Sequence, residues 1–360
     1  MGRALKVLTL KEADQWDRIV KSFQEHDVYY LSGYVKAFEI HGDGQPLLFY
    51  YEEKGLRGIH VAMKRDIGED VLFRDQLEPG KYFDLSTPYG YGGWLVEDDQ
   101  EKGKDHLFEE YWKWCKRNQI VSEFVRFHPM IGNHRYCEKV YEVIGLGETV
   151  AMDLTESEGI WTNMSSKNRG HIRKAMKNNV KIYHGRFPEI FDVFQDLYNS
   201  TMEKDGAEDY YYFSNNFYTS VLEDLPENAQ VFYGQLTDKT VIAAAIILSE
   251  NGRLNYHLSG SIRQYSSLAA TNLLLYKAAL WGNANGYKTL YLGGGVGSGE
   301  DSLFQFKRAF YKGELRRFYI GKKIWDTDNY KKLTELRNIE MEKLSENKEK
   351  RLNYFPEYRA

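Results

Sequence analysis

Residues 45–64 read QPLLFYYEEKGLRGIHVAMK, and residues 229–249 read AQVFYGQLTDKTVIAAAIILS. Each stretch consists of two apolar, β-prone runs separated by a short polar segment, at residues 53–55 in the first and 237–239 in the second. Two such runs joined by a polar turn predict a β-hairpin. The same supersecondary unit is therefore expected once in each half of the chain.

The sequence after each hairpin repeats the same order of elements. Extended, glycine-bearing chain leads into an amphipathic helix and then into a strand that ends in a loop. In the first half this pattern predicts a helix over residues 104–117 and a strand over 122–127. In the second half it predicts a helix over residues 269–283 and a strand over 289–292. The repetition indicates an internal duplication of an α+β unit.

The domain organisation follows from this duplication. A chain of 360 residues allows about two domains, each with its own core. We predict an α+β protein with two tandem lobes, over residues 1–150 and 151–325, each built from a mixed sheet flanked by helices. Residues 326–360 are rich in Lys, Glu, Asn and Arg, and they predict an exposed helical tail.

The composition excludes several classes of protein. Hydrophobic residues make up 42% and charged residues 28%, which is typical of a folded globular chain. The longest apolar run, residues 241–248, is far shorter than a membrane span of about 20 residues, and no secretory signal is evident, so a cytoplasmic protein is expected. Cys115 and Cys137 are expected to be reduced, and His128 and His134 lack metal-ligand spacing, so no metal is predicted.

Positive charge is concentrated in two segments. Residues 165–188 contain seven Lys or Arg and no acidic residue, and residues 307–323 contain seven against a single acid, Glu314. Because the formal net charge is −4, the rest of the chain is strongly acidic. This concentration indicates an anionic partner, although a solvated helix face is the alternative interpretation.

Residues 293–299, GGGVGSG, form a glycine-rich loop. The loop matches neither GxxxxGK nor GxGxxG, and the two carboxylates that come after it at Glu300 and Asp301 would repel a phosphate. We interpret it as a loop that lets a ligand approach the backbone closely, with Ser298 or Asp301 capping the next helix. A flexible connector is the alternative.

Three motifs occur in a defined order along the chain. They are PYGYGG at residues 88–93, SSKNRGHIRKA at 165–175, and LGG at 292–294 followed by FKR at 306–308. In this order they resemble the Fem family of nonribosomal peptidyltransferases, which belongs to the GNAT superfamily. The resemblance extends over about residues 30 to 325 and implies two tandem GNAT-like lobes. It also implies that the C-terminal tail, residues 326–360, packs on the first lobe.

The resemblance also implies an activity, N-acyl transfer of an amino acid from aminoacyl-tRNA to an amine of a peptidoglycan precursor. The implied partners are aminoacyl-tRNA and a nucleotide-linked muropeptide or related amine, with no cofactor. Residues 202–229 are too short for the helical arm of some members, so the chain resembles the compact ones, a layout shared with acetyltransferase-like relatives. The alternatives are an acyl-CoA-dependent N-acetyltransferase acting on an amino sugar or peptide, and a non-catalytic RNA- or saccharide-binding protein.

The same resemblance implies a set of site residues. Lys307 matches a family lysine beside the reacting ester, where a cation would stabilise developing negative charge, although it could instead begin an ordinary basic face. The residues implied in substrate binding are Lys36, Lys204, Tyr256 and Phe306. The residues expected to bind phosphate or tRNA are Lys167, Arg169, Arg173, Lys177 and Arg308. Plain surface positions for the two substrate lysines and a core position for the tyrosine are the alternatives.

Residues 263–270, RQYSSLAA, bear on the identity of the donor. GNAT enzymes that use acyl-CoA hold its pyrophosphate with a loop of the form Arg/Gln-x-x-Gly-x-Gly/Ala that leads into a helix. Here Gln264 is present, but Ser267 replaces the first glycine and makes a close approach harder. This departure argues against CoA and for a donor whose phosphates are bound by lysines and arginines.

Overall fold

The computed structural model describes residues 4–97, 101–343 and 354–360. The chain divides into two compact units, unit 1 comprising Met1–Gly145 with Tyr319–Ala360, and unit 2 comprising Leu146–Phe318. The sequence had indicated divisions after residues 150 and 325. Within the described residues, no helix is both long enough and apolar enough to cross a membrane.

The elements run in the following order. Before the first division they are β1 (Leu5–Leu8), α1 (Ala13–Lys21), α2 (Ser32–His41), β2 (Gln45–Glu53), β3 (Leu56–Asp66), β4 (Phe83–Ser86), β5 (Leu95–Glu97), α3 (Glu101–Arg117) and β6 (Ile120–Arg126). From there onward they are β7 (Glu142–Asp153), α4 (Ser157–Thr162), α5 (Ser166–Lys177), β8 (Lys181–Gly185), α6 (Pro188–Asp205), α7 (Asn215–Asp224), β9 (Ala229–Gln235), β10 (Val241–Glu250), β11 (Arg253–Ser261), α8 (Ala270–Ala284), β12 (Thr289–Gly293), α9 (Ser302–Arg308), β13 (Arg316–Ile324) and α10 (Thr327–Lys343).

Each unit contains a mixed sheet, which confirms the predicted α+β class. In unit 1 the strand order is β1-β2-β3-β4-β6-β13, with β5 paired to β3, and β4 and β6 are parallel. In unit 2 the order is β7-β12-β11-β10-β9-β8, and β11 and β12 are parallel. A parallel pair needs a crossover connection, and a helix supplies it in both units, α3 in the first and α8 in the second. The predicted internal duplication is visible in this shared connection.

The two predicted hairpins are formed by β2–β3 and β9–β10. In the first hairpin Glu53 pairs with Leu56, and the two turn residues between them, Lys54 and Gly55, have φ of 51° and 92°. Two successive left-handed residues form the two-residue turn whose twist matches that of antiparallel strands. The polar turn of the first hairpin therefore also sets its register.

A buried carboxylate organises the core of unit 1. Glu123 on β6 is fully buried, and its Oε1 lies 2.7 Å from Nε2 of His60. Its Oε2 accepts hydrogen bonds from Tyr111 Oη at 3.1 Å, Tyr141 Oη at 2.9 Å and Trp325 Nε1 at 3.1 Å. Four partners around one carboxylate offset the cost of removing it from water.

The C-terminal residues are bonded to the sheet of unit 1. Tyr358 is buried and its hydroxyl donates to Asp84 at 3.1 Å. The guanidinium of Arg359 donates to Asp84 at 2.5 Å and to Asp70 at 2.8 Å. Arg65 donates to the other oxygen of Asp84 at 2.7 Å. The described end of the tail is therefore fixed on unit 1 by a buried ionic cluster.

The core of unit 2 forms around α8. This helix buries residues 273–275, and α5 packs against it with Ile172 and Ala175. Between the two helices, the side-chain amide of Asn272 donates to Oδ1 of Asn168 at 2.8 Å. A buried hydrogen bond between two side chains fixes the lateral position of α5 more precisely than apolar contact does.

The ionic cluster at Asp84 predicts a pH-dependent contribution to stability. Burial alone would raise the pKa of Asp84, but the charges of Arg65 and Arg359 outweigh burial and lower it. Stability from such a carboxyl is complete above its unfolded pKa of about 4 and is lost as the pH falls through the lower folded pKa. We expect Asp84→Asn to cost about 3 kcal/mol at pH 7, and less at pH 3, in urea unfolding. Exposed Asp14→Asn is the control, and an equal cost at both pH values would contradict the account.

Candidate active site

The glycine-rich loop and α9 are joined through one carboxylate. Asp301 is the N-cap of α9, and its Oδ1 accepts the backbone N–H of Phe304 at 2.8 Å. Its other oxygen accepts the N–H of Val296 at 3.1 Å. Of the two capping residues that the sequence offered, the structure uses Asp301. The same carboxylate orders the loop and starts the helix.

The glycines of this loop are required by its own packing. A Cβ at Gly295 would lie 2.2 Å from the carbonyl oxygen of Gly299 within the loop, and a Cβ at Gly147 on β7 would lie 1.9 Å from that of Ser298, so β7 passes close to the loop. Gly297 has φ of 57°, in the left-handed region. The loop is therefore folded tightly on itself, which differs from a flexible connector.

Lys307 extends from α9 back to this loop. Its Nζ donates a hydrogen bond to the carbonyl oxygen of Gly294 at 2.7 Å. Burial lowers the pKa of Lys307 to about 8, although the charge of Asp301 acts in the opposite direction. Among the described residues, the ammonium donates a hydrogen bond to this carbonyl only. A lysine ammonium has three N–H bonds, so two of them can point to a ligand. The side chain is a half-buried cation at neutral pH.

The strand next to this region, β11, is partly paired on its β12 side. β11 pairs in parallel with β12 over residues 253–255, and beyond that point it continues to Ser261 while β12 ends at Gly293. Tyr256 is the first residue of β11 past the part paired with β12, and its hydroxyl donates to Ser259 Oγ at 2.6 Å. On the other side of the strand Tyr256 pairs with Ile247 of β10, and its side chain packs against the unit 2 core.

His257, next to Tyr256 on β11, is a buried histidine that the sequence reasoning did not single out. The register between β10 and β11 shifts between Ile246 and Ile247, which makes His257 the extra residue of a β-bulge. Burial lowers the pKa of His257 to about 3, so the imidazole is neutral at working pH. The hexapeptide YHLSGS at residues 256–261 contained the residue, but a bulge depends on cross-strand register.

The predicted phosphate-binding residues of α5 differ in their surroundings. Lys167, Arg173 and Lys177 are exposed, and the guanidinium of Arg173 lies 5.2 Å from the centre of the Trp161 ring. Arg169 instead donates to the carbonyl of Met164 at 2.6 Å and to Ser166 Oγ at 3.2 Å. A phosphate at Arg169 would have to compete with these bonds.

Backbone hydrogen bonds join the start of α5 to the end of α9. The N–H of Ser165, which caps α5, donates to the carbonyl of Ala309 at 2.9 Å, and the N–H of Lys312 donates to that of Asn163 at 3.0 Å. The exposed cations of α5 therefore begin beside the helix that carries Lys307. α5 and α9 are far apart in the sequence, so the sequence alone does not indicate that they are neighbours.

The side chains of Arg308 and Phe306 both contact residues that come directly after α9. The guanidinium of Arg308 donates to the carbonyls of Tyr311 at 2.6 Å, Gly313 at 2.8 Å and Lys312 at 3.1 Å, which closes the loop after α9. The ring of Phe306 packs edge-to-face on Phe310 with centres 5.3 Å apart. Arg308, which was predicted to bind phosphate, therefore stabilises this loop.

The two remaining lysines are exposed. Lys204 lies at the end of α6 and forms an ion pair with Asp205 at 3.1 Å. Lys36 lies on α2 in unit 1, one turn from Glu39. The second cationic segment is also divided between the units, since Lys322 and Lys323 belong to unit 1.

The comparisons with known proteins bear on this arrangement. Residues 166–308 match a family described as "Acetyltransferase (GNAT) domain". The chain carries a GNAT acyltransferase domain. The matched stretch includes α5, the partly paired β11, α8, the glycine-rich loop and Lys307, so the acyltransferase expectation is confirmed.

Solved structures show the same fold for most of the chain. A structure titled FemX has 13% sequence identity and a TM-score of 0.68, and the match covers 91% of this chain and 99% of that one. The C-terminal domain of a putative lysylphosphatidylglycerol synthetase from Agrobacterium fabrum matches at 13% identity, with a TM-score of 0.53, 87% of this chain and 91% of that one.

L-PGS from Bacillus licheniformis matches at 12% identity, with a TM-score of 0.55 and coverage of 87% of this chain and 92% of that one. No curated protein sequence matches the chain significantly. At these identities the likeness shows the fold alone, and that fold agrees with the one that the Fem resemblance implies.

The environment of Lys307 predicts an unusual titration. We expect the Lys307 ammonium to lose its proton near pH 8, well below the ordinary lysine value of about 10.4. Asp301→Asn keeps a good helix cap but removes the charge that raises this pKa, so the midpoint should fall further. NMR of ¹³C-methylated lysines measures both midpoints. A Lys307 midpoint above pH 10 would contradict the assignment.

Proposed function

We propose that the protein transfers an aminoacyl group from aminoacyl-tRNA to an amine of a peptidoglycan precursor. The observation that carries the proposal is the half-buried Lys307 ammonium, which donates to the carbonyl of Gly294 at the start of the glycine-rich loop and has two further N–H bonds for a ligand. The Fem-type fold supports the proposal, because the resemblance in the FKR and SSKNRGHIRKA motifs implies this reaction class.

The chemical step needs an electrophilic ester and a neutral amine. The amine nitrogen bonds to the ester carbonyl carbon, and the carbonyl oxygen takes up negative charge. When the intermediate collapses, the bond from carbon to the ribose oxygen breaks, an amide forms, and the proton lost by the amine is taken by the ribose oxygen. The Lys307 ammonium would donate a hydrogen bond to the oxyanion or to the departing oxygen, where charge develops.

The surface of α5 is the proposed contact for the RNA donor. Its exposed cations begin where α5 is bonded to α9, and the Arg173 guanidinium lies over the Trp161 ring. Cations combined with an aromatic ring are typical of surfaces that hold a single-stranded nucleic-acid backbone. The 3′ end of a charged tRNA would then lie along α5 toward Lys307.

The acceptor is proposed to be a nucleotide-linked muropeptide. Lys204 and Lys36, both exposed, are the cations that the Fem resemblance assigns to its diphosphate. Lys204 is paired with Asp205, so binding a phosphate would exchange one anionic partner for another. No step depends on a metal ion in this proposal.

An acyl-CoA donor is the second candidate, and two observations favour keeping it. Residues 166–308 match a family described by acetyl transfer. In the loop before α8 the left-handed residue is Ala269, with φ of 56°, and Ser267 lies in a 3₁₀ helix with no positive φ. The missing glycine at position 267 is therefore a weaker argument against CoA than the sequence suggested. If the donor is an acyl-CoA, acetyl-CoA should raise the melting temperature of the protein. If the donor is aminoacyl-tRNA, charged tRNA should raise it instead.

The role of Lys307 predicts a mutational and pH signature. Lys307→Ala should lower kcat by about 10²- to 10³-fold in aminoacyl transfer, because it removes the donor to the developing oxyanion. The required species is the protonated amine, so wild-type activity should decline above pH 8. Lys307→Arg should retain part of the activity and lose this alkaline decline. Lys312→Ala, an exposed neighbour, is the control. A loss of thermal stability in Lys307→Ala that is large enough to account for its loss of activity would point to a structural role instead.

The RNA contact predicts a change in salt dependence. The double variant Arg173→Glu/Lys177→Glu should weaken binding of an acceptor-stem RNA and reduce the slope of log K against log salt by roughly 1 for each phosphate that is no longer neutralised. Both side chains are exposed, so folding should be unaffected. The control is Lys331→Glu/Lys332→Glu on α10, with the same charge change. An equal slope in both double variants would rule out α5 as the RNA-binding surface.

A further inference from the structure

A cavity of about 350 Å³ opens in unit 1 where α3 ends and α10 begins. The residues that matter for its chemistry are Trp112, Lys116, Gln119, Trp325, Asp326 and Asp328. All belong to unit 1, whereas Lys307 belongs to unit 2. The volume is at the lower end of the range of small-molecule sites, roughly 300 to 1,000 Å³.

Two indole rings supply flat apolar surface in this cavity. Trp112 has 43% of its surface exposed, which is large for a residue that is normally mostly buried. Trp325 is half-buried, and the hydrogen bond from its Nε1 to Glu123 at 3.1 Å fixes the ring. The Lys323 ammonium lies 5.1 Å from the centre of the Trp325 ring, and the rings of Tyr111 and Tyr141 lie 5.5 and 6.1 Å from it, so a ligand contacts only the part of the ring that borders the cavity. One fixed ring and one exposed ring can hold a ring-shaped ligand.

The polar groups of the cavity carry both signs of charge. The Lys116 ammonium lies 5.3 Å from the centre of the Trp112 ring. The carboxylate of Asp326 is held by the N–H of Asn329 at 3.0 Å and its side-chain amide at 2.7 Å, and Asp328 is exposed. Both carboxylates would repel a phosphate, and Lys116 would repel an amine. A wholly apolar ligand would leave these groups without partners.

Gln119 adds a strained residue to the cavity. It lies just after the end of α3 with φ of 55°, in the left-handed region where glycine is the usual residue. Its exposed side-chain amide offers both a donor and an acceptor. Backbone strain of this kind persists where the side chain is needed.

We propose that this cavity binds a neutral saccharide ring. The carbon-bound hydrogens of a pyranose form apolar faces that fit the two indole rings, and its hydroxyl groups donate and accept hydrogen bonds around the edge. A mixed lining of ammonium, carboxylate and amide groups serves such an edge without net charge on the ligand. The inference does not depend on the proposed acyl transfer, because it concerns binding in unit 1.

Saturation-transfer NMR on the full chain tests the proposal with defined probes. Glucose, N-acetylglucosamine and the β-1,4-linked dimer of N-acetylglucosamine are the neutral sugars, and comparing monomer with dimer separates a free sugar from a glycan segment. Inorganic phosphate and lysine are the charged controls. We expect saturable binding of at least one neutral sugar and none of the controls. Binding of phosphate or lysine in preference to every sugar would overturn the proposal, as would the absence of saturable sugar binding.

Variants of the cavity make the test specific. Trp112→Ala should weaken sugar binding by about tenfold or more, whereas Tyr354→Ala, an exposed aromatic in the same unit, should leave it unchanged. Gln119→Gly relieves the left-handed strain, so it should raise the melting temperature while it weakens binding. A variant that has a higher melting temperature but binds sugar more weakly cannot owe the weaker binding to unfolding. Unchanged affinity in both cavity variants would overturn the assignment.

Discussion

The site in unit 2 is organised around one half-buried cation, the Lys307 ammonium. α9 has seven residues, so its orientation relies on how it begins. Asp301 fixes that start by accepting the N–H groups of Phe304 and Val296, and it ties the glycine-rich loop to the helix. Burial then lowers the pKa of Lys307 to about 8. In the proposed reaction, the partial removal of water from this cation would strengthen its interaction with the charge that develops on the acyl oxygen.

The two units keep one architecture and differ in the segment after the second parallel strand. In unit 2, β12 leads into the glycine-rich loop and Lys307. In unit 1, β6 leads to His128, whose Nε2 lies 3.0 Å from a carboxylate oxygen of Asp27, and both side chains are buried. The place of the glycine-rich loop in unit 2 is thus taken by a buried polar pair in unit 1. A duplicated fold can confine its chemistry to one copy, because function depends on the site that the fold carries.

The cationic segments combine structural and solvent-facing charge. Arg169 and Arg308 donate to backbone carbonyls and hold the chain around α4, α5 and α9. Lys167 and Lys177 face solvent on the same helix as Arg169. Guanidinium groups suit the structural positions, since their fixed fork can reach several carbonyls at once. The exposed charge of α5 is therefore a subset of what composition suggests, and the start of that helix is bonded to the end of α9.

Short stretches of sequence were sufficient to predict the local structure and the fold class. The polar turn at Lys54 and Gly55, the helix capped by Asp301 and the βα order in each half depend on turn chemistry and hydrophobic period, which short stretches carry. Motif order was enough to indicate a Fem-type acyltransferase. The bulge at His257, the carbonyl partners of Arg169 and the contact between α5 and α9 became visible only in three dimensions. Each of these features depends on contacts between residues that are brought together only when the chain packs. A local sequence pattern does not contain that information.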